Sequence, residues 1–114
     1  VAPQIARSKA SYYQHEAAQK NADYVKATVN QEYVEAQREL KKNEASLSFY
    51  ETSALKNATL ILSHARKAFG AGEIGYVEYL QSVRTAIDIK TNYLLSLQQH
   101  NLSILKLEYL TGSF

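Results

Sequence analysis

The chain has 114 residues, with 13 basic and 11 acidic side chains, four Gly, one Pro and no Cys, Met or Trp. The lack of Cys excludes a disulfide framework, a thiol nucleophile and a Cys-ligated zinc site. A net charge of +2 with both signs interspersed provides no field for binding nucleic acid or a membrane surface, and no apolar run is long enough to span a bilayer.

Two long stretches of the chain contain neither glycine nor proline. Neither occurs between Pro3 and Gly70, nor between Gly75 and Gly112. Strands need frequent turn residues, so these stretches argue against a β domain and favour helices. We predict an all-α chain with a helix over 4–69 of about 65 residues, a glycine-rich tip turn at 70–75 and a helix over 76–111 of about 35 residues.

Apolar residues recur every three or four positions on both predicted helices. The first helix has a stripe that includes Leu47, Tyr50, Ala54, Ile61 and Ala65. The second has a stripe that includes Leu80, Val83, Ile87, Leu94, Leu97 and Ile104. This spacing is typical of coiled coils. It predicts a long antiparallel helical hairpin, a coiled coil with these residues as its seam.

The two predicted helices differ in length, which leaves about the first 30 residues without a partner inside the chain. That part has small residues and tyrosines, such as Ala10 and Tyr13, on its apolar side. The second helix is also apolar beyond its seam, for example at Leu95 and Leu102. A helix with a single neighbour needs only one apolar stripe. We therefore expect additional helices to cover both surfaces.

The predicted tip turn contains three glycines within six residues. Gly70 or Gly72 can adopt the left-handed conformation that ends a helix, and a plain helix–helix turn requires nothing more. Phe69, Ile74 and Tyr76, however, place apolar groups at the most exposed end of the hairpin. They favour a contact site for another protein.

At the tip the sequence resembles the periplasmic hairpin of TolC-like outer-membrane efflux proteins. The resemblance lies in Phe69–Gln81, in Ile89–Leu95 and in Leu107–Gly112, and it is strongest to the branch that works with heavy-metal and cation efflux pumps, including forms fused to the pump. Two departures are Phe69, where the family usually has Tyr, and Glu73, where small residues are common. The resemblance places Phe69, Gly72, Glu73 and Ile74 at the tip positions of the family, and together with the adjoining Gly70 and Tyr76 they are the predicted partner contacts.

The resemblance implies a trimer in the periplasm and outer membrane of a Gram-negative bacterium. The chain would be one hairpin of the periplasmic α-barrel, surrounded by the rest of the efflux protein and its trimer neighbours, and it would meet the membrane only through barrel strands outside this chain. Its tip would contact a periplasmic adaptor bound to a resistance-nodulation-division-type pump. The duct would conduct expelled metal ions or drugs passively.

Other functions have weaker support in the residues. The alternatives are a free-standing coiled-coil oligomerisation or scaffold module and the hairpin of a periplasmic adaptor. An enzyme is the least expected class: there is no catalytic arrangement, and we expect no cofactor and no metal site because His15, His64 and His100 are isolated. Lys90 and Asn101 interrupt the second stripe, either as register-setting residues or as pore-facing groups.

Overall fold

The computed structural model describes residues 2–112. These residues form α1 (Ala2–Phe49), a π-helical segment (Tyr50–Ala54), α2 (Leu55–Gly70) and α3 (Tyr76–Thr111). The structure is 95% helical, without a strand in the described residues. We call the helical run from α1 through α2 the first arm and α3 the second arm, and the two arms form a hairpin. The predicted all-helical hairpin, with its reversal at the glycine-rich segment, is confirmed.

The chain divides into two units, Val1–Glu35 and Ala36–Phe114, with the boundary inside α1. In the first unit the described residues are exposed except Glu16, Thr28 and Tyr33, which are half-buried. The second unit contains the buried residues of the described chain. The stability of the hairpin therefore depends on the contact between its two arms within the second unit.

Buried and half-buried positions in the second unit recur every three or four residues on both arms. On the first arm they include Ala36, Leu40, Asn43, Leu47, Tyr50, Ala54, Ala58, Ile61, Ala65 and Ala68. On α3 they form a series that we call the inner stripe: Tyr79, Ser82, Ala86, Ile89, Tyr93, Ser96, His100, Ser103, Leu107 and Leu110. The most buried members are mainly Ala, Ser and Asn, whose small side chains allow two helices to pack closely.

The structure corrects the predicted seam of α3 by one position. Ala86 is 0% exposed, whereas its neighbour Ile87 is 55% exposed and Leu94 is 61% exposed. The predicted seam residues belong to a second series, which we call the outer stripe: Leu80, Val83, Ile87, Lys90, Leu94, Leu97, Asn101 and Ile104. Of these, Val83, Leu97 and Ile104 are half-buried and the others are exposed. Both stripes have the same spacing, so periodicity alone could not show which one faces the first arm.

A π-helical segment interrupts the first arm, where the sequence predicts an ordinary α-helix. The N–H of Leu55 donates to the carbonyl of Tyr50, a bond between residues five apart that is characteristic of a π-turn. Buried positions elsewhere on this arm alternate between steps of three and four, but Tyr50, Ala54 and Ala58 are separated by two successive steps of four. One extra residue must be absorbed here, and the wider π-turn does so while Ala54 and Ala58 both stay buried.

Polar side chains are buried between the arms in the second half of α3. Asn43 is 4% exposed, and its Nδ2 donates to Ser103 Oγ and, at 3.3 Å, to the carbonyl of Gln99. The Ser103 hydroxyl donates to the same carbonyl at 3.0 Å, and the Ser96 hydroxyl donates to Ser46 Oγ at 3.3 Å. Such directional bonds favour one register of the two helices over alternatives shifted along the seam.

Candidate binding surfaces

The tip turn is held by backbone hydrogen bonds at the end of α2. The N–H of Glu73 donates to the carbonyl of Ala68 at 2.8 Å, and the N–H of Gly72 donates to the carbonyl of Phe69 at 3.1 Å. Gly72 has φ +73°. These features make a Schellman motif, in which glycine takes the left-handed position because it has no Cβ. The turn therefore has a defined backbone, with Gly72 as the glycine that its geometry requires.

An aromatic cluster joins the two arms at the tip. The Phe69 ring stacks on Tyr79 with 4.9 Å between ring centroids, and it lies tilted against Tyr76 at 6.1 Å. Tyr76 is still 62% exposed and Val77 is 67% exposed, while Ile74 is half-buried. The cluster gives the tip a firm apolar surface that remains open to a partner.

The outer stripe is a second apolar surface, along α3. It lies one residue beyond the inner stripe, which corresponds to a rotation of about 100° around the helix. A third series on α3, at a spacing of seven residues, is polar and exposed: Glu78, Thr85, Asn92, Gln99 and Lys106. Helix α3 therefore has one face for the first arm, one apolar face that the described chain leaves largely uncovered, and a polar series suited to water. Leu95, Leu102 and Tyr109 are also exposed, and they extend the apolar surface between the outer stripe and the polar series.

A cavity of about 330 Å³ lies between α2 and α3 beside the outer stripe. Thr59, Leu62, Ser63, Arg66 and Lys67 line it from α2, and Lys90 lines it from α3. We call this cavity the cation groove. Its lining has three basic side chains and, among these six described residues, no carboxylate.

The first unit also exposes apolar side chains. The larger ones are Ile5, Tyr12, Tyr13, Tyr24, Val25, Val29 and Val34. An ion pair between Glu16 and Lys20 at 3.5 Å lies on the same helix, and such exposed pairs contribute little stability. This unit therefore has the character that the sequence predicts, a helix whose apolar and aromatic side chains have no core around them in the described chain.

The predicted tip residues lie together at the turn, and the structure adds others. Gly70 is the last residue of α2, and Gly72, Glu73 and Tyr76 are exposed. Tyr79 and Val77 are not among the predicted contacts. The signal for Tyr79 is its position three residues after Tyr76, a spacing that places the two rings on the same side of α3.

Two residues predicted either to set the register or to face a pore lie outside the contact between the arms. Lys90 and Asn101 are both exposed, whereas the buried polar layer uses Asn43 and Ser103. Neither polar residue of the outer stripe therefore sets the register of this hairpin, and Lys90 belongs to the cation groove instead.

Over residues 2–112, no group of three or more His, Asp or Glu side chains is arranged to hold a metal ion. The same part of the chain has no helix that combines the length and the apolar character needed to cross a membrane. Comparison of the chain with protein families, with curated proteins and with solved structures gives no match. The function must therefore be inferred from the tip, the outer stripe and the cation groove.

Proposed function

We propose that this chain is the periplasmic helical hairpin of a TolC-like outer-membrane efflux duct. In this proposal the second unit packs as an antiparallel coiled coil, and the tip contacts a periplasmic adaptor bound to a resistance-nodulation-division-type pump. The other apolar faces contact further helices of the efflux protein and of its trimer neighbours. The assembled trimer conducts metal ions or drugs passively, without bond chemistry or a cofactor.

The apolar tip is the observation that carries this proposal. A turn that only reverses the chain has no need for exposed apolar side chains, yet Tyr76 and Val77 are each more than half exposed. Phe69 stacks on Tyr79 and also lies against Tyr76, so the aromatic surface is already ordered before a partner arrives. A preorganised aromatic patch binds with a smaller entropic cost than a flexible loop.

The faces of α3 also support a position inside a larger helical assembly. Its inner stripe contacts the first arm, its outer stripe offers an apolar surface to another helix, and its polar series can face water. Helices in the wall of a water-filled tube need this combination, because each has a neighbour on two sides and solvent on a third.

Substitution of Val77 tests the tip contact. Val77→Glu removes an apolar group and adds a charge at an exposed site, so the hairpin should fold normally while adaptor binding by the parent trimer weakens about tenfold, the loss expected for one buried valine. Gln81→Glu is the matched control, because Gln81 is exposed one turn further along α3 and gains the same charge without losing apolar surface. Equal adaptor binding by the two variants would contradict the proposed contact.

A second candidate is a free-standing helical bundle that assembles from copies of this chain. The observation that favours it is the one-residue offset between the two stripes of α3. Neighbours about 100° apart around a helix close a small bundle more readily than a wide tube.

Analytical ultracentrifugation of the 114-residue chain separates the two candidates. A closed oligomer that forms without other proteins, and that Leu94→Lys dissociates, would favour the bundle. A chain that stays monomeric by itself, and that forms a trimer only as part of the whole efflux protein, would favour the duct.

A further inference from the structure

We propose that the cation groove binds the carboxylate of a Glu or Asp side chain presented by a helix that packs along the outer stripe. The inference rests on one part of the proposed function, namely that a helix packs against this face. It adds the chemistry of that neighbour, an apolar stripe of three-and-four spacing with one acidic residue at the level of Lys90.

The first reason is the position of Lys90 within the outer stripe. Between Leu80 and Leu97, Lys90 is the one charged member of a series otherwise made of Leu, Val and Ile. A helix that covers this series removes water from the lysine, and a covered ammonium group without a counter-charge is strongly unfavourable. A neighbour that fits this face must therefore supply a group that accepts hydrogen bonds and carries negative charge.

The second reason is the lining of the cation groove. Arg66 and Lys67 approach from α2 while Lys90 approaches from α3, and no ion pair within the described chain involves any of the three. The Thr59 hydroxyl, which also lines the groove, donates to the Leu55 carbonyl at 3.1 Å, so its proton is already used, and the charged donors for an anion are the three basic side chains. Three positive charges at one cavity attract an anion more strongly than a single exposed lysine would.

The shape of the groove favours a side chain over a free ion. Leu62 forms part of its wall, and the adjoining outer stripe is apolar at Ile87 and Leu94. A small free anion would use only the basic side chains. A carboxylate carried by a helix would use them while its helix covers the neighbouring leucines, and Arg66 can hold a carboxylate through two parallel hydrogen bonds.

A second copy of the same face does not supply this chemistry. The outer stripe runs from Leu80 to Ile104, and its midpoint is Asn92. A twofold pairing about that midpoint brings the Lys90 side chains of the two copies within about one helical turn of each other. Like charges would then meet at the centre of the contact, so the occupant is a helix of different sequence at this level.

The test uses the full 114-residue chain and two designed helical peptides. Both peptides have a Leu and Ile stripe that matches the outer stripe, and they differ only at the central position, which is Glu in one and Gln in the other. Fluorescence anisotropy measures their affinities at low and at high salt. We expect the Glu peptide to bind about fivefold more tightly than the Gln peptide, with a difference that shrinks as salt rises.

Variants of the chain locate the effect. Lys90→Gln should remove most of the preference for Glu and Arg66→Gln should remove part of it, whereas Lys106→Gln, an exposed lysine on the polar face of α3, should leave it unchanged. Lys90→Glu should reverse the preference toward a third peptide with Lys at the central position. Because Arg66, Lys90 and Lys106 are all exposed, circular dichroism should show all of these variants folded.

The possible results separate this inference from the proposed function. Equal binding of the Glu and Gln peptides would overturn the carboxylate site while leaving the outer stripe as a docking face. Failure of all peptides to bind would overturn both the site and the helical neighbour that the proposed function assigns to this face. Binding of inorganic phosphate that Lys90→Gln abolishes would assign the groove to a free anion and would also overturn the inference.

Discussion

Replacing Asn43 by alanine removes an amide that is buried between the two arms of the hairpin. In the wild-type chain its Nδ2 donates to Ser103 Oγ and to the Gln99 carbonyl. The loss leaves neither acceptor without a partner, because the Ser103 hydroxyl still donates to the Gln99 carbonyl at 3.0 Å. The cost is therefore the two hydrogen bonds and a small cavity, not an orphaned polar group.

We expect Asn43→Ala to lower the free energy of unfolding by about 2 kcal/mol, since each net hydrogen bond contributes about 1 kcal/mol. Asn43→Leu is the control for volume. It places an apolar side chain of the same branched shape in the site and should cost less than Asn43→Ala, because the same two hydrogen bonds are lost but no cavity is left.

Urea denaturation followed by far-UV circular dichroism measures both variants, and a double-mutant cycle with Ser103→Ala isolates the bond between the two side chains. We expect a coupling energy of about 1 kcal/mol. An Asn43→Ala chain as stable as the wild type would refute this reasoning. A coupling energy of zero would show that the amide contributes by filling space and not through its bond to Ser103.

The turn, the π-helical segment and the inner stripe provide three further predictions. Gly72→Ala should cost about 1–2 kcal/mol of unfolding free energy in the same denaturation assay, because Gly72 has φ +73° and a Cβ disfavours that backbone conformation, while the open space around it means that no clash adds to the cost. Gly70→Ala should be neutral or stabilising, and equal effects of the two substitutions would contradict the Schellman assignment. Deleting Ser53 should leave the hairpin at least as stable, because it removes the extra residue that the π-turn absorbs, and a loss of several kcal/mol on thermal unfolding would disprove that explanation. Ala86→Leu should lower the free energy of unfolding by about 1–3 kcal/mol, because it overpacks a fully buried site, whereas Ile87→Ala should change it little. A larger loss for Ile87→Ala than for Ala86→Leu would show that the outer stripe, and not the inner stripe, contacts the first arm.

The helices and the position of the turn were predictable because they depend on local chemistry. Long stretches without Gly or Pro favour helix over strand, and the three glycines between Gly70 and Gly75 mark where the helix must end. Gly112 likewise ends α3 with φ +71°, as its place after the last apolar residues predicts. These features follow from the backbone preferences of individual residues, which the sequence states directly.

The π-helical segment shows a limit of periodicity. The average spacing of the apolar stripe on the first arm is close to that of an ordinary α-helix, so a single extra residue near Tyr50 does not stand out. It shows in the structure as two successive steps of four between buried and half-buried positions, from Tyr50 to Ala54 and from Ala54 to Ala58. The need to keep both Ala54 and Ala58 buried then converts it into a local widening of the helix.

The choice of contact face on α3 was decided by the tertiary structure. Two stripes with the same spacing lie one residue apart, and the more apolar one, with Leu80, Ile87 and Leu94, is the one that remains exposed. Local preference and hydrophobicity establish that α3 is a helix with extensive apolar surface. Which surface the first arm covers depends on fit between the arms, and there the small side chains of Ala86, Ser96 and Ser103 allow close packing and leave the larger ones for another partner.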